Sequence, residues 1–454
     1  MIPRIKSKTL GFMSKTFPLG NILRRIGLIG LVIGTAWLGT SAAAGQEANV
    51  QSTKQDHDFP SNGFHLFQLD FATGWTTLSG VGNFAFDQSE GGFSGVSAWG
   101  SFLTGYSYRT YTSTFLVRYR PSYTNSFEYS KHWFNHDFSI EYTRRLKPRW
   151  SLRLSATASD DTIEETILNQ NPLGQNFEQP AAGTLYQPQL LIPTPALLYG
   201  LRVLDAGALA TVIYSPSPRT RLTMNAGGFD IQSRSVNTPQ PSLLLDRTNM
   251  AEAAADFLYH VNPRTEVGVE GSFLQAYSVY GAYRQTTGGG TFGYELGPHW
   301  LATGMLGMTV NSSIGAGRLV YQPTLTTDAG LTYRGRENTL SLSYRRLGGD
   351  TYGFGANATM IYTADWYWQY HDHSWKVIGK ALRQQLTGGV GGGLGLWEVS
   401  FGGSRQLGQQ MSTTFTGAYM REQLQTVPQL SQGSAFAVRV TMSWIPFLKE
   451  TPRR

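Results

Sequence analysis

Residues 149–159 read Arg-Trp-Ser-Leu-Arg-Leu-Ser-Ala-Thr-Ala-Ser. Trp150, Leu152, Leu154, Ala156 and Ala158 fall on one side, and Ser151, Arg153, Ser155 and Thr157 on the other. Strict period-two alternation predicts an extended strand with one apolar and one polar face. The same pattern recurs near the end of the chain. There Phe436, Val438, Val440, Met442 and Trp444 oppose Ala437, Arg439, Thr441 and Ser443.

Moving outward from these two stretches, alternating segments of about ten residues recur along the chain. Some are joined by short turns rich in proline, glycine and asparagine, the residues of tight hairpins. Examples are Leu146-Lys147-Pro148, Ser215-Pro216-Ser217-Pro218, Asn262-Pro263, Gly297-Pro298 and Gly335-Arg336-Glu337-Asn338. Between the hairpins lie longer polar stretches at 122–132, 160–204, 231–249, 276–287, 311–323, 348–356 and 422–434. Short turns alternating with long loops predict a transmembrane antiparallel up-and-down β-barrel, an all-β fold. In lipid only helices or closed barrels satisfy every backbone polar group. An N-terminal strand within 64–86, eight hairpins (near 97–121, 133–159, 205–230, 250–275, 288–310, 324–347, 357–382 and 391–421) and a closing strand at 435–446 predict 18 strands. Sixteen is the alternative, because the first strand and the 357–382 hairpin carry the least regular pattern. Either number leaves an aqueous interior. Trp133, Phe134, Trp150, Tyr259, Trp300, Tyr333, Tyr344 and Trp444 stand near strand ends, where they suit interfacial girdles.

Composition agrees. Of 454 residues 15% are charged and none is cysteine. That charge is well below the roughly 25% of soluble domains, and the missing thiols exclude disulfides, thiolate metal sites and a cysteine nucleophile. The net charge of +7 does not predict nucleic-acid binding, because Arg4, Lys6, Lys8, Lys15, Arg24 and Arg25 supply nearly all of it before residue 45. Ile26 to Leu38 is an uncharged run followed by Ser41-Ala42-Ala43-Ala44. This is the layout of an export signal cleaved near Ala44, and the run is too short for the ~20 residues of a spanning helix. An uncleaved anchor is the alternative. Residues 45–62 are then a short periplasmic segment, 63–448 the barrel and 449–454 a tail.

Over 63–448 the pattern resembles the Gram-negative outer-membrane β-barrels of the porin-like kind. The resemblance implies an outer-membrane location, contact with membrane lipid and lipopolysaccharide, and small polar solutes as cargo, with homo-oligomers allowed. The chain departs from such barrels at its end. They commonly finish on an aromatic residue, whereas this chain continues past Trp444 and Phe447 to Lys449–Arg454.

Catalytic chemistry finds little support. The histidines are scattered, and only His371-Asp372-His373 cluster, at an expected turn without a further ligand. Gly288–Gly293 has dinucleotide-fingerprint spacing, but a strand follows where a helix is required. No catalytic residue, metal or cofactor is expected. The polar faces carry the candidate pore-lining charges: Arg118, Arg120, Arg153 and Arg221, then Glu252, Asp256, Glu266 and Glu270, with Arg345 and Arg439. Basic and acidic walls facing each other would set a transverse field. Asp137 and Glu141 lie among the basic strands, so cross-strand ion pairing is the equal alternative. Asp160, Asp161, Glu164 and Glu165 open the longest loop, a candidate constriction that could instead lie outside as a lid. The leading reading is a diffusion pore. The alternatives are the outer-membrane pore of an exopolysaccharide export or assembly system and, third, an outer-membrane enzyme.

Overall fold

The computed structural model describes residues 62–81, 92–127, 131–162, 202–234, 247–278, 281–315, 318–348, 358–370, 375–387, 394–408, 410–424 and 432–446. They form 18 strands. The first six are β1 (Gly63–Val81), β2 (Gly92–Arg109), β3 (Ser113–Ser126), β4 (Lys131–Lys147), β5 (Trp150–Thr162) and β6 (Arg202–Ser217). Next come β7 (Thr220–Ser233), β8 (Arg247–Asn262), β9 (Thr265–Ser278), β10 (Gly281–Glu295), β11 (Trp300–Gly315) and β12 (Arg318–Arg334). The last are β13 (Asn338–Gly348), β14 (Ala358–Gln369), β15 (Trp375–Thr387), β16 (Leu394–Gln406), β17 (Met411–Leu424) and β18 (Gln432–Trp444).

Each strand pairs antiparallel with its sequence neighbours, and β1 pairs with both β2 and β18, so the sheet closes on itself. The count of 18 expected from the alternation holds, and the first strand and β14–β15 are regular members. Closure removes the edge strands that would otherwise expose unpaired N–H and C=O groups to lipid.

The faces sort as the alternation requires. Leu154, Val269, Leu306, Val399 and Val440 are solvent-exposed on the outer surface, where hydrocarbon would cover them. Trp150 stacks on Tyr214 at 4.3 Å and Trp300 lies 5.0 Å from Tyr333, forming part of an aromatic belt at the end bearing the tight turns. Trp133 does not join a belt. It pairs in register with the buried Thr124, which places it on the inner face.

Three of the expected long loops are mostly strand. β3 reaches Ser126 with β4 starting at Lys131, β9 and β10 are separated only by 279–280, and β11 and β12 only by 316–317. Strands of up to 19 residues exceed the 9–11 that span a bilayer. Beyond the membrane both faces are wet, so alternation fades while the backbone ladder persists.

Glycines serve close packing. Gly289 and Gly307 are direct cross-strand partners, and a Cβ on Gly307 would lie 2.7 Å from the Gly289 Cα. This accounts for Gly289 within the run 288–293, all of which lies in β10.

Candidate functional site: the inner wall of the barrel

In β3 and β4 the inward positions follow from register. Arg120 faces Asp137, Arg118 faces Ser139 and Leu116 faces Glu141. One strand further, Arg153 on β5 reaches Glu141 with a nitrogen–oxygen distance of 3.1 Å. The basic side chains of this sector thus stand among their own carboxylates. The same holds for Arg345 on β13, 2.9 Å from Asp328 on β12, and for Lys380 on β15, 3.5 Å from Glu398 on β16. Arg439 on β18 is buried, with its guanidinium 4.9 Å from the centre of the inward-facing Trp99 ring on β2. This cation–π contact joins strands more than 300 residues apart in sequence, and nothing local signals it.

All ten charges expected on the inner face occupy inward register positions. Their arrangement differs from two facing walls. Arg118 and Glu252 are only five strands apart in a ring of 18, so these sectors are not diametrically opposed. Cross-strand ion pairing describes the basic sector. The acidic group is gathered on β8 and β9, where Asp256 faces Glu270 directly and the imidazole of His260 lies 3.7 Å from Glu266. Arg221 comes in from β7 beside Leu258.

The expected constriction residues divide. Asp160 and Asp161 are strand residues at the end of β5, not loop, because β6 continues pairing with them. Asp160 points outward and is held by Arg202 at 2.7 Å and Arg234 at 3.8 Å, while Asp161 is buried on the inner face. Glu164, Glu165 and the proline-rich stretch behind them lie outside the described residues, as do His371 and His373.

The inner wall also holds features the alternation did not announce. Met250, Leu274, Ala276 and Tyr283 form a buried apolar cluster across β8–β10, with Phe229 of β7 packed on it. Beside it runs a polar chain across β10–β12. Gln285 Nε2 donates to Thr287 Oγ1 at 3.3 Å, Thr287 Oγ1 lies 2.8 Å from Thr309 Oγ1, and Thr309 continues to Thr326.

Above this chain the wall is breached from within. β12 pairs with β11 along its whole length but with β13 only from Thr327 onward. The end of β13 instead crosses the inner face. Gly348 stands so close that a Cβ there would lie 2.7 Å from Thr309 Cβ and 3.1 Å from Thr324 Cβ. The Tyr283 hydroxyl lies 3.1 Å from the Gly348 carbonyl and 2.8 Å from Asn311 Oδ1. With one proton it donates to one of them at a time. The outer end of the β13–β14 hairpin thus leans into the barrel over β10–β12.

The sequence matches no family model and no curated protein. Among solved structures it is similar to OccK2 (OpdF) of Pseudomonas aeruginosa in complex with glucuronate, with 13% identity, 84% of this chain and 98% of that chain covered, and a TM-score of 0.44. For OpdO of the same species the figures are 14%, 86%, 98% and 0.45. For a BenF-like porin of Pseudomonas fluorescens Pf-5 they are 10%, 84%, 98% and 0.43. By its own closed pairing and two-sided wall, this chain is a closed 18-stranded antiparallel β-barrel.

Proposed function

We propose that the protein is an outer-membrane pore through which small polar solutes diffuse. The observation that carries this reading is the closed ring of 18 strands whose outer face exposes a band of large apolar side chains and whose inner face carries the ten candidate charges. A ring of this size is wider than its own side chains fill. The aqueous path, the hydrocarbon contact and the aromatic belt all follow from that one sorting of residues. The run Ile26–Leu38 with Ser41–Ala44 supports export with cleavage near Ala44. The ten inward charges are read as the residues that tune passage. The test is planar-bilayer recording of the purified full-length mature protein. Stepwise ohmic conductance, with sugar flux into liposomes, is expected. A heat-modifiable, folded barrel that never conducts would reject the reading.

A further inference from the structure

The acidic residues of β6–β9 are placed by register at four regular levels. Asp205 on β6 shares a level with Ile231 and Thr248. Glu252 lies four residues further along β8, Asp256 four beyond it with Glu270 across, and His260 four beyond that with Glu266 across. At about 3.4 Å per residue each step is about 14 Å, so the carboxylates run most of the height of the wall. The described basic groups of the same four inner faces are Arg221 and the titratable His260. Elsewhere in the interior acids and bases alternate at close range, as in Arg153 with Glu141 and Arg345 with Asp328. The inward basic residues Arg109, Arg145, Arg334 and Lys376 are exposed at the turn end of the barrel, where salt screens them.

A second observation points to what this wall receives. Asp256 is 1% exposed, with the Thr223 hydroxyl across from it and the Arg221 guanidinium as compensating charge, and neither carboxylate oxygen has a donor at full hydrogen-bond geometry. One arginine, Arg221, stands against Asp205, Glu252, Asp256, Glu266 and Glu270 on these faces, and a cation carrying N–H groups in the lumen supplies further charge and donors. Charges held in a low-dielectric wall also act on the lumen with little screening.

We propose that the β6–β9 face is a cation-selecting track, so that the pore favours small solutes bearing an ammonium or guanidinium group. This rests on the pore reading above. The test is the reversal potential of the full-length mature channel in a KCl gradient, together with block of the potassium current by 1,4-diaminobutane. A several-fold preference for potassium over chloride, and block by the diamine, are expected. The Glu252→Gln, Asp256→Asn, Glu270→Gln triple variant should lose most of both. The charge-neutral, outward-facing ion pair Asp230→Asn with Arg247→Gln should leave both in place. Conductance without cation preference overturns the track but not the pore, whereas a folded barrel without conductance overturns both. Retained selectivity in a folded triple variant also overturns it. Should that variant fail to fold, the wild-type preference decides, since a pore indifferent to charge is incompatible with the track.

Discussion

Val440 and Ser155 show how much one residue of register decides. Val440 is exposed on the outer face, whereas Ser155 lies on the inner face opposite Glu141. Val440→Arg should lower stability in lipid by about 2–4 kcal/mol, the cost of a cation near the midplane. Ser155→Arg gains a nearby carboxylate and should fold almost normally. Urea titration in vesicles with heat-modifiability as readout checks both, and equal effects would refute the facing. Glycines give a sharper contrast. Gly288 has open space where a Cβ would go, while one on Gly307 meets the backbone of Gly288 and Gly289. Gly288→Ala should be nearly neutral, and Gly307→Ala should cost about 1–3 kcal/mol, because backbone cannot move aside as a side chain does. A reversed order in the same titration would show that the two strands are not in the register described.

Among the elements, the β13–β14 hairpin is the one whose end leaves the wall. Its inward lean rests on a glycine small enough to sit over Thr309 and Thr324, and on the Tyr283 hydroxyl beside the Gly348 carbonyl. Gly348→Val adds bulk at both threonines and should displace the hairpin end outward, raising single-channel conductance. Tyr283→Phe removes a hydrogen bond worth about 0.5–1.5 kcal/mol and should increase open-channel noise with the barrel intact. Unchanged conductance and noise in both variants would show that this end does not border the conducting path. In sequence its two strands were the second strand of the 324–347 hairpin and the first of the 357–382 hairpin, joined by the long stretch 348–356. Its lean was not legible, because it depends on β13 parting from β12 after Arg346, and both strands alternate normally there.

For the whole molecule, closure through β1 and β18 is the defining event. Leu69 pairs with Trp444 and Val81 with Gln432, so the first and last strands complete one another. Removing β18 should leave two open edges and abolish the heat-modifiable form, seen as loss of the mobility shift on unboiled gels. A mature N-terminus near Gly45 in an outer-membrane fraction is expected from the export segment. Intact Met1 in inner membranes would refute it.

The sequence by itself pointed to 18 strands, with 16 as the alternative, and determined the tight-turn positions and the apolar face of each strand. These follow from local alternation, which a strand transmits unchanged from residue to residue. It also puts the ten candidate charges on the polar parity of their strands. What only the tertiary structure decided is which strands stand beside one another in the closed ring and at what height. Arg153 meets Glu141, Arg439 lies over Trp99, and Asp205, Glu252, Asp256 and Glu266 fall at equal steps because neighbouring strands hydrogen-bond in one register and not another. Register is a property of pairs of strands, so it belongs to the assembled sheet and to no single stretch of chain.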